Sequence, residues 1–274
     1  MNLVERRIDT ASVTAVRQRV KPYSLALVMP LYNEEGCAFD VVMSWANMLS
    51  RLNIDYLMIV LDDGSTDRTA DILNQLADHD RIEIVRKQNT GHGPTIMLGY
   101  RRAVEVADWV FQCDGDNEMP PDHFSAMWNK REDFDALFGH REGRKQNLAR
   151  CLMTRGSRMI VRMIFSKGVK DVNTPYRLMR SSILRPIVEP IPIDTFAPNV
   201  VISGAIAKAK LRIHSCPVPH EPRQTGAVSL AKRKLWKIAV RTVCETVQCR
   251  ILLTEELRRL RRRGSVIPSN PART

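Results

Sequence analysis

Short apolar runs alternate with amphipathic stretches along the first half of the chain. Leu25-Ala26-Leu27-Val28-Met29 is an unbroken apolar run that Pro30 closes, and Tyr56-Leu57-Met58-Ile59-Val60-Leu61 is a second, closed by Asp62-Asp63-Gly64-Ser65. Ile82-Glu83-Ile84-Val85 and Trp109-Val110-Phe111-Gln112-Cys113 are a third and a fourth. Short apolar runs bounded by turn formers read as buried strands. Between them the period changes: Phe39, Val42, Met43, Trp45 and Leu49 give residues 37–52 helical spacing. Thr66 or Asp67 is placed to cap a helix carrying Ile72, Leu73 and Leu76. Gly91-His92-Gly93-Pro94 opens another helix, with Pro94 in its first turn. This alternation predicts a mostly parallel sheet with helices on both faces.

The second half is less regular. Residues 147–165 form a basic, partly apolar helical stretch, and Val169 to Met179 reads as turn and strand. Residues 186–198 are a Pro-rich loop, Asn199 to Lys210 is helical, Leu211–Val218 is extended, and 217–222 is loop again. From Leu230 to about Leu260 one or two amphipathic helices are expected. Leu235, Ile238, Val243, Val247, Ile251 and Leu252 give the apolar face; Lys232, Arg233, Lys234, Lys237, Arg241 and Arg250 cover the rest. The expected division is an N-terminal arm (1–22), one α/β domain (23–228), a basic amphipathic helical segment (229–263) and a disordered tail (264–274).

Composition narrows the partners. A chain of 274 residues with 44% hydrophobic content can bury the core of one large domain. Its 42 basic and 30 acidic residues give a net charge of +12, which selects for anionic partners: nucleotide phosphates, anionic lipid or nucleic acid. Aromatics are only 6% and no nucleic-acid motif is present, so a non-catalytic nucleic-acid or anionic-surface binder is the remote reading. The six cysteines are scattered without zinc-ligand spacing and read as reduced thiols of a cytosolic protein. The N-terminus lacks the apolar core of a leader, and no apolar run reaches the roughly 18 residues of a spanning helix. The expected location is the cytoplasm, either free or peripheral on the inner face of the membrane.

Candidate chemistry gathers where the apolar runs end. Asp114-Gly115-Asp116 follows the fourth run directly and precedes Asn117-Glu118-Met119-Pro120-Pro121. Carboxylates at i and i+2 on extended chain point to one side. At the end of a buried strand they repel unless a cation lies between them, and Mg²⁺ or Mn²⁺ would bridge them to substrate phosphates. Taken alone, the tripeptide is equally the composition of a solvated turn. Tyr32-Asn33-Glu34 and Asp62-Asp63 fall at strand ends as well, where ligands bind in parallel α/β sheets.

The set Pro30-Leu31-Tyr32-Asn33-Glu34, Asp62-Asp63-Gly64-Ser65-Thr66-Asp67, Gly91-His92-Gly93-Pro94 and Asp114-Gly115-Asp116-Asn117-Glu118-Met119-Pro120-Pro121 resembles family 2 glycosyltransferases in order and spacing. Within that family it is most similar to the dolichyl- or polyprenyl-phosphate mannose synthase-like branch, over about residues 24–230. The resemblance implies a GT-A fold, a GDP- or UDP-sugar donor, a divalent metal and an inverting hexosyl transfer, most readily to polyprenyl phosphate. Pro30, Tyr32, Glu34, Asp62, Asp63, Gly91, Gly93 and Asp114 would then bind the nucleotide sugar, and Asp114 and Asp116 would be the catalytic metal ligands. Arg155, Ser157 and Arg158 would serve acceptor or donor phosphates. Asp171-Val172-Asn173-Thr174-Pro175-Tyr176-Arg177 departs from the family's Asp-x-x-Ser-Gly-Phe-Arg element by Thr-Pro for Ser-Gly, and Arg177 and Arg223 would also face the acceptor phosphate. Asn199 stands near the place where relatives that glycosylate hydroxyls carry an acidic base. Asn cannot be a base, which favours a phosphate acceptor over the alternative, a hydroxyl of a glycan or small metabolite. The family's transmembrane helices are missing, and a basic amphipathic helix could instead lie on an anionic bilayer.

Overall fold

The structure, a computed structural model, describes residues 23–142, 174–219 and 232–264. The N-terminal arm, the helical stretch expected over 147–165, Arg155, Ser157, Arg158 and Arg223, and the last ten residues lie outside the described residues.

The described strands are β1 (Tyr23–Leu31), β2 (Tyr56–Asp62), β3 (Ile82–Arg86), β4 (Ala107–Gln112), β5 (Ala136–Glu142), β6 (Arg177–Arg180) and β7 (Ile213–Pro219). They form one sheet in the order β3-β2-β1-β4-β6-β5-β7. Pairing is parallel among the first four and between β5 and β7; β6 runs antiparallel to both neighbours. The predicted parallel α/β sheet is therefore present, with one reversed strand.

Side-chain alternation along β1 sets the two faces. Leu25, Leu27, Met29 and Leu31 meet α1 (Ala38–Arg51), α2 (Thr69–Asn74) and α4 (Phe124–Asn129). Ala26 and Val28 face α3 (His92–Val106), α5 (Ser181–Val188) and α6 (Pro198–Lys208). On the first face Trp45 packs its indole against Phe111 at 5.1 Å, and Phe111 meets Phe124 and Tyr176 edge-on at 4.8 Å each. Edge-to-face contact adds to the burial of large rings.

Several boundaries differ from the sequence pattern, each for a local reason. Pro30 does not end β1, which runs on to Leu31 and keeps Pro30 in register with Leu61. Its nitrogen faces the β4 side, where pairing has already stopped at Val28, so no ladder donor is lost. Pro217 and Pro219 likewise belong to β7 rather than to a loop, because β7 is an edge strand with one unpaired side. The loop expected over 186–198 starts later, since α5 continues through Pro186 to Val188. β5 was not signalled at all: Gly139 and the charged residues at its end break the apolar run.

The C-terminal segment is two helices, α7 (Lys232–Leu252) and α8 (Thr254–Gly264). They pack onto the second face through Cys249, Leu253, Leu257 and Leu260, with Thr246 buried beside them. The apolar face expected from the sequence is oriented differently: Val247, Ile251 and Leu252 are exposed, and Val240 with them. A residue polar by type, Thr246, takes an inward position because its hydroxyl bonds to the helix's own Thr242 carbonyl at 2.5 Å.

Trp45 is 1% exposed and sits at the centre of the aromatic cluster. Trp45→Ala should cost about 3–5 kcal/mol of stability, as large-to-small changes at buried aromatics do, measured by urea unfolding of purified protein.

Candidate active site

The loop after β1 and the loop after β2 are zipped together by their own polar side chains. Asn33 takes a positive φ of 54° and uses its Oδ1 to accept the Thr66 N–H at 2.8 Å, while its N–H donates to Ser65 Oγ at 3.0 Å. The Glu34 N–H donates to Thr69 Oγ1 at 2.9 Å, and the Glu35 N–H to Asp67 Oδ2 at 3.2 Å. Asp67 also accepts the Thr69 N–H at 2.9 Å in a turn ahead of α2, whose N-cap is Arg68 and has no side-chain cap bond, so neither Thr66 nor Asp67 takes the cap position expected of it. Asp62 closes its own turn: its Oδ1 accepts from the N–H and hydroxyl of Ser65, at 3.0 and 2.6 Å. Half of the Asp-Asp-Gly-Ser-Thr-Asp motif is thus loop architecture.

Asp63 holds the next loop. Its two oxygens accept from Lys87 Nζ, the Thr90 N–H at 3.0 Å and the Gly91 N–H at 3.0 Å. Burial acts to raise the Asp63 pKa, but the bonds from Lys87, Thr90 and Thr95 and the Lys87 charge outweigh it and hold the carboxyl below its ordinary 3.8. This anchors the start of α3. There the close approach of Gly93 to the Thr195 and Phe196 carbonyls leaves no room for a Cβ.

The strand β4 ends at Gln112, so Asp114 and Asp116 leave the sheet in a turn rather than on extended chain. Gly115 between them lies against Leu31, where a Cβ would collide with its side chain. Asp114 Oδ1 accepts from Gln112 Nε2 at 3.2 Å and stands 3.6 Å from His92 Nε2. Asp116 Oδ1 accepts the Glu118 N–H at 3.1 Å. Both carboxylates are half-buried, at the mouth of a cleft of about 800 Å³ at the carboxyl ends of β1, β2 and β4.

That cleft gathers Pro30, Tyr32, Glu34, Asp63, Gly91, Asp114 and Asp116. Two expected site residues are elsewhere. Asp62 turns into its own loop, and Gly93 faces an adjoining cavity of about 630 Å³ that shares Gly91 and His92 with the cleft. Arg177 is the clearest difference. It is fully buried within the sheet, in register with Gln112 on β4 and Phe138 on β5. Its guanidinium donates to the Thr174 carbonyl at 3.0 Å, the Asn199 carbonyl at 3.2 Å and Ser203 Oγ at 3.1 Å, so it faces protein rather than the cleft wall. Lys87 and Asn89 are cleft neighbours outside the motifs, and His92, within the Gly91-His92-Gly93-Pro94 motif, lines the cleft as well. For Lys87 the available signal was its position just past β3, at the same end of the sheet.

Among the described residues no three His, Cys, Asp or Glu side chains form a metal cluster. The carboxylates of Asp114 and Asp116 are hard oxygen donors, which would suit a hard ion such as Mg²⁺ or Mn²⁺.

The sequence model of glycosyl transferase family 2 matches residues 26–188, a span that contains all of these loops. The chain belongs to glycosyl transferase family 2. It is a glycosyltransferase. Among its relatives is the undecaprenyl-phosphate 4-deoxy-4-formamido-L-arabinose transferase of Edwardsiella ictaluri (strain 93-146), 25% identical over 247 residues, 89% of this chain and 72% of the relative. The transferase of the same name from Enterobacter sp. (strain 638) is 26% identical over 252 residues, with the same coverage. In three dimensions the chain is similar to glucosyl-3-phosphoglycerate synthase from Mycobacterium tuberculosis, solved with Mn²⁺, UDP and glucosyl-3-phosphoglycerate. The TM-score is 0.61 at 14% identity, over 83% of this chain and 80% of that one. That likeness establishes the GT-A fold of this family 2 member.

The charge on Asp63 carries a pH signature. A carboxyl whose pKa is depressed by folding contributes stability that is present above its ordinary 3.8 and is lost as pH falls through the folded value. Asp63→Asn should lower stability at pH 7 by about 1–3 kcal/mol, and its deficit relative to wild type should shrink below pH 4, read by urea unfolding across pH 2.5–7.

Proposed function

We propose that this glycosyltransferase transfers a hexose, with inversion, from a nucleotide diphosphate sugar to polyprenyl phosphate at a membrane surface. The observation that carries the reading is the convergence of Glu34, Asp63, Asp114 and Asp116 on one cleft at the carboxyl ends of β1, β2 and β4. Nucleotide bases and sugars offer N–H and O–H donors, which carboxylates at the inner end of such a cleft accept. Asp114 and Asp116 would hold the divalent cation against the donor pyrophosphate. When bound, that cation supplies neutralisation of the charge released on the leaving diphosphate. The first turn of α3, which follows Gly91 beside the cleft, would set a helix N-terminus toward a donor phosphate. Tyr32, 45% exposed at the rim, offers a ring face for a base.

The acceptor follows from what is missing at the helix after the Pro-rich loop. Asn199 is buried and uses its amide on Gln112 and Tyr100. It offers no carboxylate to deprotonate a hydroxyl, whereas a phosphate acceptor is already an anionic nucleophile. The two undecaprenyl-phosphate transferases named above support the same acceptor class.

The C-terminal helices supply a membrane-facing surface in this reading. Val240, Val247, Ile251 and Leu252 recur at helical spacing on the exposed side of α7, near exposed Ile193 and Phe196. Arg241 adds positive charge beside Phe196, and α8 carries Arg258, Arg259, Arg261 and Arg262 on the next helix. Apolar residues together with arginines suit the headgroup region of an anionic bilayer. No described helix is long and apolar enough to cross a membrane.

Purified protein should form a lipid-linked sugar from one nucleotide sugar only when Mg²⁺ or Mn²⁺ and a short polyprenyl phosphate are both present. Asp116→Asn should reduce that transfer by a factor of 100 or more while circular dichroism stays unchanged, on the order of the loss when a group stabilising transition-state charge is removed. Retained transfer would remove Asp116 from the chemistry, and metal-dependent hydrolysis without lipid product would move the acceptor to a hydroxyl. Separately, the double change Val247→Glu and Ile251→Glu should abolish sedimentation with phosphatidylglycerol-rich vesicles while leaving UDP and GDP binding intact. Unchanged sedimentation would place the membrane contact elsewhere.

A further inference from the structure

We infer that Tyr100, Gln112 and Asn199 form a buried set of positioning residues that fixes the Asp114 carboxylate and so sets how tightly the site holds its cation. This rests on the metal reading given under the proposed function.

Gln112 is the last residue of β4 and is fully buried. A buried amide is tolerated only when its polar atoms are satisfied. Its Nε2 donates to Asp114 Oδ1 at 3.2 Å. Its Oε1 accepts from the Tyr100 hydroxyl at 2.8 Å and from Asn199 Nδ2 at 3.0 Å. The two donors decide the amide's orientation. Turning the Gln112 amide over would aim its N–H groups at Asn199 Nδ2 and its oxygen at the carboxylate, losing the bonds to Asn199 and Asp114 and adding a repulsion, even with the Tyr100 hydroxyl turned to Asn199 Oδ1. Tyr100 and Asn199 therefore force Gln112 to present a donor to Asp114.

The set is itself held from several elements. Tyr100 comes from α3 and also lies 3.0 Å from Asn199 Oδ1. Asn199 stands in the first turn of α6, and its carbonyl accepts from Arg177, the residue beside Gln112 in the sheet. Burial pushes the Tyr100 pKa up, so the phenol stays a donor at any pH the protein survives. A polar cluster spanning α3, β4, β6 and α6 costs more to bury than apolar side chains of the same volume. Its arrangement delivers one product at the cleft: a carboxylate with restricted rotation. Groups that hold a ligand's orientation from behind are commonly worth roughly 10- to 100-fold in metal affinity.

The test is Mn²⁺ binding to the full chain with saturating UDP, and again with GDP, followed by electron paramagnetic resonance of free Mn²⁺, with thermal melting in parallel. Gln112→Leu, which removes the donor, and Tyr100→Phe, which removes a single hydroxyl, should both raise the Mn²⁺ Kd, the first by roughly tenfold or more. Trp45→Ala, destabilised on the opposite face of the sheet, should melt earlier with its Mn²⁺ Kd unchanged. If both variants melt earlier but bind Mn²⁺ like wild type, the cluster is structural only and the inference falls while the metal reading stands. If wild type takes up no Mn²⁺ with either nucleotide, the metal reading falls and takes the inference with it. Should Gln112→Leu fail to fold, Tyr100→Phe decides the matter alone.

Discussion

Glu34, Asp63, Asp114 and Asp116 face one cleft at the end of a buried sheet, and carboxylates so placed repel one another where water is scarce. Much of the surrounding structure answers that repulsion. Asp63 is met by Lys87 and by two backbone N–H groups, and its pKa falls despite burial. Asp116 takes an N–H from its own turn, and Asp114 takes one from Gln112 with His92 nearby. A divalent cation at Asp114 and Asp116 would answer the same repulsion.

The strands that carry the site were legible because they are buried on both faces. In such strands every position is apolar, so the run shows without any periodicity. Tyr56–Asp62 is buried throughout, and Leu25 to Leu31 likewise. The acidic ends stood out for the same reason: apart from Gln112, the runs just before Asp62 and Asp114 are apolar. Three things were not legible. β5 carries Gly139 where Tyr176 and Val218 press close, and its polar end hides it among loops. Arg177 resembles a phosphate-binding arginine by motif, but the reversal of β6 carries it into the sheet between β4 and β5. The Tyr100, Gln112 and Asn199 cluster unites residues separated by up to 99 positions, and no local pattern signals that.

The C-terminal helices show how far a period alone can lead. Val243, Val247, Ile251 and Leu252 recur at helical spacing, yet the packed side of α7 runs through Thr246 and Cys249, continued by Leu253 just past its end. Inward positions were chosen by the shape of the domain surface rather than by residue type. Burial at the Cys249 thiol pushes its pKa up to about 11, which fits a small apolar filler and not a reactive group. Among the described residues, Val240, Val247, Ile251 and Leu252 are left exposed.

These outer residues are not mechanically separate from the chemistry. Glu245 of α7 accepts the Phe196 N–H at 2.9 Å, and Arg241 stacks its guanidinium over the Phe196 ring at 5.2 Å. The carbonyls of Thr195 and Phe196 press directly on Gly93. Gly93 follows His92, which faces Asp114. A continuous path of close contacts therefore runs from the helix that would meet a bilayer, through one loop, to the first turn of α3 and the carboxylate at the cleft mouth. Interiors this close-packed transmit a shift rather than absorb it. In the proposed reading, an enzyme that takes its sugar from water and gives it to a lipid phosphate would have to register both at one carboxylate pair, and rigid contact between α7 and the start of α3 would keep the two ends of that reaction in fixed relation.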